Sequence, residues 1–415
     1  MPRRRGRKVP LLSARPGNAV LFADPAKRNA LLLAMCQALY MSGTSLMIST
    51  SPLVGHMLAT DKTLATLPIA FHHVGIMCAT LPASFIMQRF GRRNGFLMGA
   101  AIGFCAALAA IYAVFAANFA LFTLSILMAG FANGFAVFYR FAAADTAGEA
   151  FRAKAISWVM AGGLFAAFIG PEVAKATVGL FSPVLYAGAY AGLACFYVLT
   201  AVVVSQVRIP RPVVDRTASA GRPLREILAQ PACVVALLSG IFGYATMSLV
   251  MTSTPLAMFG CGFGFTDSAT VIQLHIFAMF VPSFFTGNLI RRYGATNIIA
   301  VGVAVNLACV ALNLAGVAFF NFAIALALLG VGWNFMFIGA TTLLTTVHTP
   351  PERAKVQGLN DFVMFATTAT AAFSSGGLLN LLGWKTVNLA VVPLLAIVAV
   401  ALVWLHLQRR VAAPA

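Results

Sequence analysis

The stretch Ser45–Leu53 reads SLMISTSPL, and Ser248–Leu256, inside another apolar run, reads SLVMTSTPL. The serine, both leucines and the proline recur at the same places, and hydroxyls persist at 49–51 and 252–254. The offset, 248 − 45 = 203, returns elsewhere: QRFGRR (88–93) and RRYGAT (291–296) set Arg89 against Arg292 and Gly91 against Gly294, and His72 answers His275. FRAK (151–154) is matched by ERAK (352–355), and Asn133 by Asn334, at 201, a change that a small indel explains. Apolar sequence matches itself easily by chance, but a shared order and spacing of this kind reads as a tandem duplication.

What was duplicated follows from composition. Of 415 residues, 60% are hydrophobic and 9% charged, whereas about a quarter of a soluble globular chain is charged. The chain is an integral membrane protein. Its apolar runs are long enough to cross a hydrocarbon core of about 30 Å as helices, which satisfy their own backbone hydrogen bonds. Twelve spans are expected: 29–58, 64–87, 95–116, 119–141, 155–177, 183–206, 231–257, 268–290, 297–317, 321–345, 357–380 and 386–407. The fold class is therefore all-α, with two pseudo-symmetric six-helix bundles. The organisation is a basic tail (1–28), an N-terminal bundle (29–206), a linker (207–230), a C-terminal bundle (231–407) and a short tail (408–415). An even number of helices per copy gives both copies the same orientation in the membrane.

The net charge of +18 would suggest nucleic acid in a soluble protein, but the placement of the charges excludes that reading. With the N-terminus inside, 25 of the 28 Lys and Arg fall on the cytoplasmic side, leaving Lys62, Lys175 and Lys385 toward the other face. This positive-inside bias predicts cytoplasmic termini and a multi-pass protein of the cytoplasmic (inner) membrane. MPRRRGRK is read as an uncleaved tail, because no apolar core follows it directly and no small-residue cleavage site closes the first span. The seven cysteines form no disulfide framework or metal-ligand spacing. No metal or cofactor is expected, and a monomer among membrane lipids is the expected form.

Two parallel six-helix halves, an Arg/Gly loop after span 2 echoed after span 8, and a long central loop resemble the major facilitator superfamily over the whole chain. The sharpest element is the loop where that family shows G-x-x-x-D-R-x-G-R-[RK]. Here it reads Ser84, Gln88, Arg89, Gly91, Arg92 and Arg93, so RxGRR is intact while the Gly and Asp positions depart. The resemblance implies a conformational latch formed by Gln88, Arg89, Gly91, Arg92 and Arg93 against the start of span 11. There Asp361 is the expected counter-ion for Arg89 or Arg92, with proton binding as its alternative role. PPERAKVQG (350–358) looks like the family's loop before that span. The span 4 motif R-x-x-Q-G is reduced to Gly130, Asn133 and Gly134, without its arginine, and the antiporter motif of span 5 to Gly170-Pro171.

A carrier of this kind needs a polar site near mid-membrane between halves that rock, and the resemblance implies that spans 1, 4, 7 and 10 line it. The candidates are Gln37 and Tyr40 on span 1, Asn133 and Arg140 on span 4, Tyr244 and Ser248 on span 7, and Trp333 and Asn334 on span 10. Hydroxyls in membrane helices more often serve close helix packing. The two Asn are evenly divided between packing and binding, and Arg140 is read first as a partner of Asp145 or Glu149. Ionisable groups within spans are rare. Glu172 and His275 are coupling candidates, through a contact between spans 5 and 8 that a proton would modulate; Glu172 paired with Lys175 is the competing reading. Pro52 and Pro255 loosen the outer ends of spans 1 and 7, and are expected to bend or gate there.

The function expected is secondary transport of a small organic solute by alternating access, with proton coupling and uncoupled facilitation both open. A drug exporter and a non-transporting receptor with a carrier fold are the alternatives. An enzyme is excluded on the residues: no nucleophile with a base, no paired carboxylates and no ligand cluster is visible, and adjacent His72 and His73 point about 100° apart on a helix. Few charges line the expected cavity, and its aromatics suit a planar or amphipathic neutral solute such as a vitamin, nucleobase-like compound or drug.

Overall fold

The computed structural model describes residues 24–147, 149–209 and 221–412. Most of the basic tail, the middle of the linker and the last three residues lie outside them. Helix α1 (Pro25–Leu58) opens with Asp24 accepting the Ala26 N–H at 2.9 Å and Pro25 at its first position, a start in which proline forfeits no intrahelical bond. Then come α2 (Leu67–Phe90), α3 (Arg92–Phe115), α4 (Phe119–Ala136, continued by Tyr139–Thr146), α5 (Glu149–Thr177) and α6 (Ala187–Ser205). The second half has α7 (Pro231–Gly260), α8 (Phe265–Phe280 and Ser283–Tyr293), α9 (Ala295–Ala315), α10 (Phe319–Leu344), α11 (Arg353–Leu389) and α12 (Val392–Ala412).

Among the described residues ten stretches are long and apolar enough to cross a membrane, and the two parts of α8, bent by 42°, make an eleventh. The last of the ten, Lys355–Arg409, has 55 residues, roughly 80 Å of helix at 1.5 Å per residue and far more than one bilayer core. It is broken at Gly383 (φ 80) and turns at 390–391, so α11 and α12 are separate crossings and the total is twelve. Span edges shift where the chain bends. α4 breaks at 137–138, α8 at Val281-Pro282, and α6 begins at Ala187 instead of 183 because residues 178–186 form turns.

The duplication is visible in detail. Gly91 (φ 88) and Gly294 (φ 84) each form the whole connection between α2 and α3 and between α8 and α9. That backbone conformation is one that only glycine adopts without strain. Deeper in the bundle a Cβ on Gly130 would stand 2.0 Å from the His72 carbonyl oxygen, and one on Gly330 would stand 2.6 Å from that of His275. The α4–α2 and α10–α8 crossings thus use the same glycine-on-backbone approach, the close packing that replaces hydrophobic drive inside a bilayer.

The linker and both described ends of the chain lie on one face, here the linker face. Ties between the halves gather at the opposite face. Thr66, ahead of α2, donates its hydroxyl to the Phe373 carbonyl of α11 at 3.2 Å and accepts the Gly376 N–H at 3.1 Å. Lys175 of α5 reaches Gln273 of α8 at 3.2 Å. Ring contacts join Phe168 to Phe277, Tyr186 to Phe265 and His56 to Phe259. Ile48, Ile69, Ala70 and Ala167 of the first half are built into the core of the second. The molecule is closed at that face.

Candidate functional site

On the linker side of these contacts the halves part. A cavity of about 470 Å³ lies between α5, the break in α8, and α10, lined by Ile156, Ser157, Met160, Ala161, Leu164, Phe280, Ser283, Phe284, Trp333, Asn334, Phe337 and Ile338. Its walls sit roughly 10–20 Å from the linker-side helix ends at 1.5 Å per residue. One side is an aromatic cluster. Trp333 stacks on Phe337 at 5.1 Å and 15°, and Tyr244 of α7 stands edge-on to both at 5.2 Å. The break in α8 that shapes the floor follows from Pro282, which cannot donate a backbone hydrogen bond.

The two asparagines do different work from the aromatics. Asn133 is 2% exposed; its amide donates to His72 Nε2 at 2.9 Å and to Thr44 Oγ1 at 3.4 Å, and its oxygen accepts from the Tyr197 hydroxyl at 3.1 Å. It ties α1, α2 and α6 to α4. Asn334 pins the α8 break. Its amide donates to the Met279 carbonyl before the break and to Ser283 Oγ after it, both at 2.7 Å, and its oxygen accepts from Thr286 at 2.7 Å. Both are packing hubs, and the hydrogen bonds an amide needs in hydrocarbon are met within each half.

Other candidates divide. Tyr40 lines a void of about 20 Å³ inside the first half, together with Asn133, Tyr139 and Tyr197. Arg140, at the start of the continuation of α4, holds its guanidinium 4.8 Å from the Phe141 ring centroid. Gln37 is buried on α1, and Ser248 is buried and donates to the Thr368 carbonyl of α11 at 3.1 Å, which makes it a packing residue. Pro52 and Pro255 lie within continuous helix near the closed face.

Of the two readings of Glu172 the Lys175 pair is the one formed, and two other expected pairings, those of Asp361 and Arg140, are corrected. Glu172 binds Lys175 at 2.9 Å and is largely exposed, while His275 is buried and its Nδ1 meets the Leu326 carbonyl at 2.8 Å. Lysine one turn away on the same helix reaches the carboxylate first. Arg92 pairs with Asp145 at 2.6 Å and not with Asp361, because the continuation of α4 past its break carries Asp145 to the α2–α3 junction. Gln88 and Arg89 are exposed, with Arg89 over the Phe90 ring; Arg93 is exposed as well. Arg140 accordingly does not hold Asp145, and the Glu149 side chain lies outside what the structure describes. Asp361 instead takes the Asn360 amide at 3.1 Å.

Two features went unread in the sequence. The α5 wall, Ile156 to Leu164, was not singled out, and Pro282 and the one-turn spacing of Trp333 and Phe337 are the signals that could have found its partners. The other is a clamp where the linker rejoins the second half. Glu352, 1% exposed, accepts from Arg222 Nε and its backbone N–H at 2.8 Å, from Arg222 Nη2 at 2.9 Å and from the Thr349 N–H at 2.8 Å, and Lys355 donates to the Arg222 carbonyl. Arg222, then the Thr349 N–H, hold the Glu352 carboxyl well below the usual carboxylate range.

Residues 33–346 match the family model described as Major Facilitator Superfamily. A riboflavin transporter of Brucella anthropi is 43% identical over 383 residues, covering 92% of this chain and 96% of its own. An MFS-type transporter of Bacillus subtilis is 31% identical, covering 78% and 79%. Among solved structures, a nucleoside transporter (D323A mutant) superposes with a TM-score of 0.70 at 14% identity over 90% of this chain and 99% of that one. A D-xylose-proton symporter does so at 0.70 and 13%, over 89% and 96%. The last two likenesses concern the fold.

Proposed function

The chain belongs to the major facilitator superfamily, and from that premise we propose that it carries riboflavin, or a planar solute built like it, across the cytoplasmic membrane by alternating access. One observation carries the reading: an aromatic-walled cavity of about 470 Å³, within the roughly 300–1,000 Å³ of small-molecule sites, between halves that are joined at the opposite face. Trp333, Phe337 and Tyr244 offer the ring surfaces that a flat conjugated solute requires. The 43% identity to a riboflavin transporter over nearly the full length of both chains supports the choice of solute.

In this reading the positive-inside bias makes the linker face cytoplasmic, and the conformation described is open to the inside. The Arg89–Arg93 segment, with Gly91 as its pivot, latches within the first half through Arg92 and Asp145. We assign proton coupling to Asp361, the carboxylate near the start of α11, whose side chain takes the Asn360 amide at 3.1 Å. A proton on Asp361 would remove its charge inside the span and favour movement of α11. Glu172 and His275, held apart by their own partners, are not needed for it.

The test is riboflavin flux into proteoliposomes, followed by the flavin's own fluorescence, with and without an imposed proton gradient. Accumulation above equilibrium that a protonophore collapses is the expected result. No flux from monodisperse protein rejects the solute; flux indifferent to the protonophore rejects the coupling.

A further inference from the structure

We propose that Phe280, seated on Gly163 of α5, is the outer end wall of the cavity and sets how large a solute it admits, with Gly163 as the residue that positions the ring. This rests on the flavin-like reading of the substrate and names what measures its size.

The seam between α5 and α8 shows how the wall is built. Going inward from the closed face along α8, Gln273 accepts from Lys175 at 3.2 Å, and Phe277 meets Phe168 with ring centroids 5.6 Å apart at 74°. One turn further Phe280 lies over Gly163. The three atoms nearest to a Cβ placed on that glycine all belong to the Phe280 ring, Cε1 at 3.2 Å, Cζ at 3.3 Å and Cδ1 at 3.6 Å. α8 then breaks at Val281-Pro282 and bends by 42°. Past the bend Ser283 and Phe284 line the cavity. The Phe280 ring therefore serves two spaces at once, closing the seam on one side and lining the cavity on the other.

Two adjacent glycines of α5 do different work. A Cβ on Gly162 would stand 2.3 Å from the Ala34 carbonyl oxygen, so that glycine serves the backbone approach of α1. Gly163 meets only a side chain. Glycine inside a helix is disfavoured relative to alanine, and at 163 the missing methyl is the room that the Phe280 ring occupies. An added methyl there makes the ring give by a few tenths of an ångström, and a branched side chain makes it give by more. Phe277 and Phe168 hold the outer side, so the ring yields toward the cavity. Apolar pockets respond to steps of this size, since one methylene is worth roughly 10–200-fold in discrimination. Riboflavin, with fused rings and a ribityl chain, loses room before a smaller solute does.

The experiment measures affinity by quenching of flavin fluorescence on the purified full-length protein in detergent, using riboflavin and lumichrome, which keeps the ring system and lacks the ribityl chain. Gly163→Val is expected to weaken riboflavin roughly tenfold and lumichrome by less. Phe280→Leu removes Cε1 and Cζ, the ring atoms closest to position 163. In that background Gly163→Val is expected to cost riboflavin less than about twofold, because the cycle isolates the contact between the two positions. Gly163→Ala, a milder step, is read in the same two backgrounds, and ligand-free melting temperatures verify that the variants are folded. A loss that persists undiminished in Phe280→Leu, a loss equal for both flavins, or no loss in Gly163→Val overturns the end wall. Wild-type protein that binds neither flavin overturns the substrate reading beneath it, and the two failures are distinct.

Discussion

His56 of α1 packs edge-on against Phe259 of α7, ring centroids 6.1 Å apart at 61°, and the two are the same position of the duplicated unit, since 259 − 56 = 203. Equivalent residues that touch one another lie on the axis relating the halves, at the closed face. For that face to open, this contact has to break. Cysteines at both positions, joined by a short bifunctional thiol reagent, are expected to abolish transport, and a reducible spacer to restore it. Each single cysteine with the same reagent should transport normally. Undiminished flux in the joined protein would show that the axis contact persists through the cycle.

Asn133 and Asn334 are predicted to matter through stability before anything else. Asn133→Ala strips partners from His72 and Tyr197, and Asn334→Ala strips them from Met279, Ser283 and Thr286. A buried polar group left unpaired costs about 1–3 kcal/mol, while single side-chain hydrogen bonds between membrane helices average about 0.6 kcal/mol. With several partners lost at once, about 1–2 kcal/mol per variant is expected, read as a lowered melting temperature in detergent. An unshifted melting temperature together with lost riboflavin binding would return the residue to the substrate site.

The Glu352 clamp carries a pH signature. Its carboxyl sits below the usual value of 4.5, chiefly because Arg222 and then the Thr349 N–H bind the charged form. A depressed folded value means that the stabilisation is present above the unfolded pKa and is lost as pH falls from there through the folded one. Glu352→Gln should thus melt lower than wild type by a constant margin from pH 5 to 8, and the margin should shrink below about pH 4.5. A margin independent of pH would mean that the clamp is held by geometry and not by charge.

Much of this architecture was legible because a bilayer imposes a strong pattern. The runs that had to be helices were helices, and the 203-residue offset placed Gly91 on Gly294 and His72 on His275 before any contact was known. Partners were less legible. The chain bends at 137–138 and 281–282, and those bends decide that Asp145 reaches Arg92 and that Asn334 closes on α8. Spacing along a straight helix could not give either. Trp333 was visible as a ring deep in a span, but that its buried N–H meets no acceptor is a property of packing.

Pro52 and Pro255 stand four residues before His56 and Phe259, inside α1 and α7 and close to the closed face. Each removes a backbone donor, toward Ile48 and Met251 respectively, and crowds the preceding turn. The neighbouring hydroxyls are turned inward: Ser49, Thr50, Ser253 and Thr254 all donate to carbonyls a turn earlier, and Thr50 and Ser51 also meet the Tyr190 hydroxyl. Such back-bonding eases helix bending, so the repeated phrase is predicted to act as a hinge built from a proline and its adjacent hydroxyls. Replacing proline by alanine restores a donor and stiffens the turn. Pro52→Ala and Pro255→Ala are expected to leave riboflavin affinity on the linker side within about twofold while slowing turnover roughly tenfold, a barrier increase of about 1.4 kcal/mol. The double variant should be slower than either alone. Unchanged turnover in all three, measured in proteoliposomes at saturating riboflavin, would leave the phrase as shared packing inherited from the duplication.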